Sequence, residues 1–196
     1  MNIGLYGGSF NPPHLGHLIV AETLREQFRL DQIWWIPARQ PPHKAEATLV
    51  SPQHRLAMTR RATHDHPAFA VSDVEVQRAG ASYTVDTVRA LQTAHPDETF
   101  SLLLGSDSLR HFSAWRDPEE IVARVSLIVY PRPGAAEVDV ESSLAGRVRF
   151  AEAPLLAISG TAIRARLRAG RSIRYLVPEA VRVYIEQHGL YVKRKT

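Results

Sequence analysis

The sequence predicts an α/β fold: a Rossmann-like, doubly wound parallel sheet with helices on both faces. Three observations predict it. Short apolar runs alternate with helical stretches along the whole chain, the rhythm of a parallel sheet covered on both sides. The apolar runs stop at glycine or proline, as at Gly7-Gly8, Pro37, Gly105 and Pro131. Helices reopen behind such stops with small polar or cap-forming residues, as at Ser51-Pro52.

Taken in order, Ile3–Tyr6 reads as a buried strand. His17–Arg29 places Val20, Leu24 and Phe28 on one helical stripe. Gln32–Ile36 is a strand halted by Pro37. Ser51-Pro52 opens a helix, with serine as N-cap and proline in the first turn. Phe69–Val76 alternates like a strand, and Val85, Val88 and Leu91 mark a further helix. Phe100–Leu104 is a strand. Asp117-Pro118 repeats the cap-plus-proline start for a helix through Arg124. Leu127–Tyr130 is a buried strand, Arg132–Ser143 a turn-rich acidic surface loop, and Val148–Phe150 and Leu155–Ile158 are short strands. Gly160–Ala169 and Pro178–His188 are helices closed by Gly170 and Gly189. A chain of 196 residues without repeats or low-complexity tracts is expected to form one domain over 1–196.

Composition narrows the chemistry. The chain is 44% hydrophobic and 22% charged and contains no cysteine, which excludes a disulfide framework, a thiolate zinc site and a cysteine nucleophile. No apolar run approaches the ~20 residues of a membrane span, and the N-terminal segment lacks the pattern of a signal peptide. The expected location is cytoplasmic, with no membrane partner. The formal net charge of +4 suits nucleotides, phosphates or nucleic acid. Lys44, Lys193 and Lys195 are the only lysines; the other basic residues are arginines.

In a sheet of this kind ligands bind beyond the carboxyl ends of the strands. The segment Gly7-Gly8-Ser9-Phe10-Asn11-Pro12-Pro13-His14-Leu15-Gly16-His17 lies there, between the first strand and the first helix. Its glycines allow close backbone approach, and the helix start attracts anions. His14 and His17, at i and i+3, can face one direction once helical. Gly16 between them leaves room for a phosphate. The spacing fits neither a dinucleotide fingerprint nor a P-loop, which needs a lysine. Two histidines without a third ligand nearby do not make a metal site.

Pro41-Pro42-His43-Lys44 follows the second strand, and Lys44 is a candidate phosphate ligand acting as a point charge. Ile158-Ser159-Gly160-Thr161-Ala162-Ile163-Arg164 again couples small polar residues to a helix start. Ser159 and Thr161 can cap the helix and donate to phosphate, with Arg164 in its first turn. Arg166, Arg168 and Arg171 read as a solvated face. Ala81–Thr87 precedes a helix, Gly105-Ser106-Asp107-Ser108 follows a strand, and Trp115 lies in a connector where it can either stack on a planar ring or pack in the core.

Together these segments resemble the nucleotidyltransferases marked by His-x-Gly-His and a later Ile-Ser-x-Thr-x-x-Arg. Within them the chain is most similar to the bacterial nicotinate-nucleotide adenylyltransferase family. The resemblance covers nearly the whole chain. It includes Gly7–His17, Pro41–Lys44, Ser82–Thr87, Gly105–Leu109, Arg132-Pro133-Gly134, Ile158–Arg164 and the ending Tyr175–Pro178 to His188–Tyr191. Asn11 stands where that family often has aspartate, and Gly160 where it often has serine.

The resemblance implies transfer of AMP from ATP to nicotinate mononucleotide, giving nicotinate adenine dinucleotide and pyrophosphate. It implies that His14, His17, Lys44 and Arg164 carry the reaction. Gly8, Ser9, Phe10, Gly105, Ile158, Ser159 and Thr161 join them around ATP. Lys44, Tyr83, Thr84, Asp107, Trp115 and Arg132 are placed at the mononucleotide, with Trp115 stacked on its pyridine ring. Mg²⁺ is expected with ATP, held by phosphate oxygens and water, with no protein ligand named. Self-association is left open. The rival readings are adenylyl transfer to phosphopantetheine, cytidylyl transfer to a phosphorylated alcohol, and a basic nucleic-acid-binding module. The last would interleave aromatic and basic residues on a sheet face, and the aromatics here are scattered.

Overall fold

The computed structural model describes residues 1–41, 49–134, 144 and 146–192. Six parallel strands form one sheet in the order β3-β2-β1-β4-β5-β6. They are β1 (Asn2–Gly8), β2 (Gln32–Pro37), β3 (Phe69–Val71), β4 (Thr99–Gly105), β5 (Ser126–Tyr130) and β6 (Val148–Phe150). The helices are α1 (Leu15–Gln27), α2 (Pro52–Thr63), α3 (Val74–Gln77), α4 (Thr84–Ala94), α5 (Ser106–Leu109), α6 (Pro118–Arg124), α7 (Gly160–Arg168) and α8 (Glu179–Gln187). A 3-10 turn spans Phe112–Ala114. Chain direction across the sheet reverses between β1 and β4, which makes their carboxyl ends the crevice where ligands bind in such sheets.

The strands alternate between two core layers because successive side chains point to opposite faces. Ile3, Leu5, Leu102, Leu104, Leu127 and Val129 face one layer, shared with Val85, Val88 and Leu91 of α4 and Ile121 of α6. Tyr6, Ile33, Trp35, Leu103 and Ile128 face the other, shared with Val20, Ala21 and Leu24 of α1. Gly4 is required by this second layer: a Cβ there would lie 2.7 Å from Ile33 Cδ1 and 2.9 Å from Leu30 Cδ1. A third cluster joins Met58 and Ala62 of α2 with Ile163 of α7 and Val181 and Ile185 of α8.

Three local expectations are corrected. Phe69–Val76 is a strand only to Val71: Ser72 N donates to Trp35 O, and the chain then turns into α3, which buries Glu75 and Val76. Leu155–Ile158 is no strand. These residues run alongside a cavity instead, with Leu155 exposed. Asp117 does not cap α6; it is left-handed, and its carboxylate lies near Arg89 and Arg116. The short α5 and the 3-10 turn carry no periodicity a sequence could reveal. Ser51 does cap α2, accepting from His54 N at 3.3 Å. Gly170 and Gly189 close their helices at φ 64° and 55°. The loop read from Arg132 to Ser143 lies outside the described residues beyond Gly134. Among the described residues no helix is long and apolar enough to cross a membrane.

Candidate active site

A cavity of about 440 Å³ opens beyond β1, β4 and β5. Two distant motifs form its walls. From the first come Gly8, Ser9, Phe10, His14 and His17; from the second, Ser159, Gly160, Thr161 and Arg164. Asp107 and Arg132 complete the rim. A smaller adjoining cavity of about 300 Å³ shares Asp107, Arg132 and Ser159 and adds Ile158 and Gly134.

The histidines sit at the start of α1. Their rings stack with centroids 3.6 Å apart. The His14 backbone N–H donates to His17 Nδ1 at 3.1 Å. A neutral His17 therefore carries its proton on Nε2. His14 is 3% exposed, and burial lowers its pKa to about 4, with Arg132 adding to the effect. It is a neutral imidazole at pH 7 and can serve as a hydrogen-bond donor or acceptor but not as a cation. Its Nδ1 has no hydrogen-bond partner among the described residues.

Gly16 has a role within the chain itself. A Cβ at Gly16 would press on His14 Nδ1 at 3.2 Å and lie 3.6 Å from Ile158. The glycine thus admits the His14 ring. Phe10 lines the cavity, yet its ring is buried and packs edge-on against Tyr6 and His17 at 5.7 and 5.2 Å. The ring anchors the loop. The backbone is held at φ 42°, a left-handed conformation that is uncommon for a bulky residue.

The second motif is tied to the first by one side chain. Arg164 Nη1 donates to Asn11 O at 2.8 Å, and Nη2 donates to Thr161 Oγ1 at 3.2 Å. Ser159 Oγ accepts from Ala162 N at 3.2 Å as the α7 cap, and its hydroxyl proton remains available to donate. Burial lowers the Arg164 pKa somewhat, and the guanidinium stays charged at neutral pH. At the opposite rim Arg132 Nε lies 3.7 Å from Asp107 Oδ2. Gly105 makes that approach possible, since a Cβ there would collide with Asp107 Oδ1 and lie 3.0 Å from Arg132 Cγ. Asp107 is the one carboxylate among the described lining residues. Two arginines and two imidazoles line the cavity with it.

Of the other expected residues, Gly105, Tyr83, Thr84 and Trp115 line neither cavity. Tyr83 and Trp115 pack partly buried against the layer under α4 and α6. Trp115 tilts against Phe112 at 5.3 Å, and Arg116 lies over the Tyr83 ring at 4.9 Å. Thr84 opens α4, where the Tyr83 side chain makes no capping hydrogen bond. Lys44 lies outside the described residues. Ser82 holds structure: its Oγ accepts from Arg39 N at 3.0 Å. Thr87 Oγ1 bonds buried Glu75 at 2.7 Å.

Two contacts escaped sequence reading. Tyr191 OH donates to Asn11 Oδ1 at 2.7 Å, so the chain's last described turn braces the first motif. Arg55, wholly buried in α2, bonds the carbonyl of Ser9. Its acceptors are backbone carbonyls of other segments, which residue spacing does not signal.

Fold and site together define a nucleotidyltransferase. The chain belongs to the cytidylyltransferase-like family, whose model matches residues 5–166, and among its members it belongs with the nicotinate-nucleotide adenylyltransferases. It is 60% identical over 97% of its length to a Salinibacter ruber protein named "Probable nicotinate-nucleotide adenylyltransferase", covering 98% of that protein. It is 44% identical to a protein of the same name from Exiguobacterium sibiricum, over 97% of this chain and 99% of the other. In architecture it matches the Plasmodium falciparum nicotinic acid mononucleotide adenylyltransferase complexed with NaAD. The TM-score is 0.81, at 24% identity and 97% coverage of both chains.

Proposed function

We propose that this chain, as a single domain, transfers the adenylyl group of ATP to nicotinate mononucleotide, releasing pyrophosphate. The observation that supports it most is the bond from Arg164 to Asn11 O, which closes the two motifs around one anion-binding cavity. The relatives named above carry the same activity in their names.

The chemistry suits these residues. The nucleophile is the mononucleotide phosphate, largely ionised at neutral pH because its second pKa is ~6. It needs no protein base. What the protein must do is align two anions and meet the charge that builds on the α-phosphate and the departing pyrophosphate. His17 donates from Nε2 to the α-phosphate. His14, neutral, adds a directional contact without charge. Arg164, Thr161 and Ser159 hold the β- and γ-phosphates at the start of α7. The Gly8–Phe10 backbone lines the nucleotide, Gly105 and Ile158 border it, and Lys44 neutralises phosphate charge between the two substrates.

Arg132 and Asp107 stand on the mononucleotide side of the rim. Tyr83, Thr84 and Trp115 receive the pyridine end, Trp115 by stacking and Thr84 through the open amides of α4. Mg²⁺ enters with ATP as part of the substrate, coordinated by phosphate oxygens and water. The partners are these small molecules, and the reaction is placed in the cytoplasm. Pyrophosphate release from ATP and nicotinate mononucleotide tests this reading directly.

A further inference from the structure

Arg55 stands in the first turn of α2 with none of its surface exposed. Its guanidinium donates to four backbone carbonyls. Nε reaches Val50 O at 3.1 Å, Nη1 reaches Ser9 O at 2.9 Å and Ala38 O at 2.5 Å, and Nη2 reaches Arg39 O at 2.8 Å. Three segments meet on one side chain: the loop after β1, the chain leaving β2, and the residues ahead of α2. Among the described residues no carboxylate hydrogen-bonds it; Glu75 acts on it only through space. Glu75 is itself buried and bonded by Thr87, and burial raises its pKa above the ordinary carboxylate value.

Burying a cation is costly unless something answers its charge. The four carbonyls satisfy the donors and leave the net charge standing. Neutral donors could brace these segments at lower cost. A full cation behind the loop is favoured when an anion binds in front of it, because charge acts over longer range in a poorly polarisable interior. The geometry agrees. With the Ser9 carbonyl turned to Arg55, the Phe10 N–H of the same planar peptide points the opposite way. Phe10 carries φ 42° and lines the cavity. The bond at Ser9 is one of the contacts that hold this peptide in its left-handed turn.

We propose that Arg55 is a positioning residue for adenylyl transfer: it fixes the Ser9–Phe10 peptide with its amide towards the triphosphate and lends its charge to that anion from behind the loop. The inference rests on the adenylyl-transfer reading. It reaches past the cavity lining, since Arg55 touches no substrate.

The test compares wild type with Arg55→Lys and Arg55→Met in pyrophosphate release, varying each substrate, with thermal melts alongside. Arg55→Lys keeps the charge and loses the fork. It should melt as one transition and raise the ATP KM roughly tenfold, the size of a lost charge-assisted hydrogen bond. The mononucleotide KM should stay within about twofold of wild type on the same argument. Arg55→Met removes the charge too and should lower kcat below that of Arg55→Lys. A folded Arg55→Lys with both KM values unchanged, or raised equally, overturns the proposal.

Wild-type protein gives a reading that needs no variant to fold. The Arg55 Nε–H resonance should shift when ATP is added and stay in place when only mononucleotide is added. A resonance unmoved by ATP overturns the proposal. Wild-type turnover in the same assay separates the two readings. No turnover removes adenylyl transfer itself, whereas turnover with wild-type-like Arg55→Lys kinetics removes only the role given to Arg55.

Discussion

Arg164 Nη1 hydrogen-bonds the carbonyl of Asn11 at 2.8 Å across 153 positions of sequence. Gly160 lies under this contact: a Cβ there would sit 3.0 Å from Asn11 O and 3.2 Å from Arg164 Nη1. Asn11 and Gly160 are therefore neighbours through the Asn11 backbone carbonyl.

From this relationship comes the first prediction. Arg164→Ala should raise the ATP KM about ten- to a hundredfold, since a hydrogen bond to a charged group contributes roughly 1.5–3 kcal/mol. The mononucleotide KM should change less. Arg168, exposed on the same helix, should be replaceable by alanine with little effect on either. Steady-state kinetics with each substrate varied in turn checks this, and matching effects from the two substitutions would remove the distinction.

His17 is assigned to charge that develops on the α-phosphate. His17→Ala should cut kcat by roughly 10²–10³, or ~2.7–4 kcal/mol of barrier, while ATP binding weakens less. Single-turnover rates together with ATP binding titrations measure both. Retention of half the wild-type kcat would remove His17 from the mechanism.

His14 supplies a pH prediction. Burial lowers its pKa from 6.5 to about 4, so the unfolded chain takes up the proton first as pH falls. Its contribution to stability is complete above pH 6.5 and is lost progressively down to about pH 4. The loss is on the order of 3 kcal/mol, because each pH unit separating the folded and unfolded pKa corresponds to about 1.4 kcal/mol. Denaturant melts of the substrate-free protein should show this slope, and His14→Gln should flatten it. A slope that survives in His14→Gln would place the titration elsewhere.

Much of this was legible in the chain. The β1–loop–α1 unit follows from an apolar run, two glycines and one stripe. Parallel order follows from strands separated by helices. What stayed hidden has physical reasons. Leu155–Ile158 is as apolar as a strand, but Leu156, Ala157 and Ile158 line a cavity in the folded chain. Asp117-Pro118 has the composition of a cap, yet ion pairing with Arg89 and Arg116 competes for the carboxylate. Arg55 and Tyr191 bond a backbone carbonyl and a side chain far away in sequence. Such acceptors leave no mark in residue spacing. Gly16 reads as a required gap from its place between two histidines, although only the folded chain shows that the His14 ring fills it.

Trp115 concerns the second substrate. If it stacks on the pyridine ring, Trp115→Ala should weaken nicotinate and nicotinamide mononucleotides by a similar factor, about ten- to a hundredfold for 1–3 kcal/mol of stacking. The choice between acid and amide is assigned to the amides at the start of α4, which favour an anion. Values of kcat/KM for both mononucleotides, in wild type and variant, decide it. A variant that loses only the acid would show that Trp115 does more than stack.

The central claim is adenylyl transfer to nicotinate mononucleotide. Its most direct measurement is coupled pyrophosphate release from ATP with nicotinate mononucleotide, nicotinamide mononucleotide or phosphopantetheine as acceptor. The account predicts rapid release with the first, clearly slower release with the second, and none above background with the third. Release with phosphopantetheine but not with nicotinate mononucleotide would contradict it.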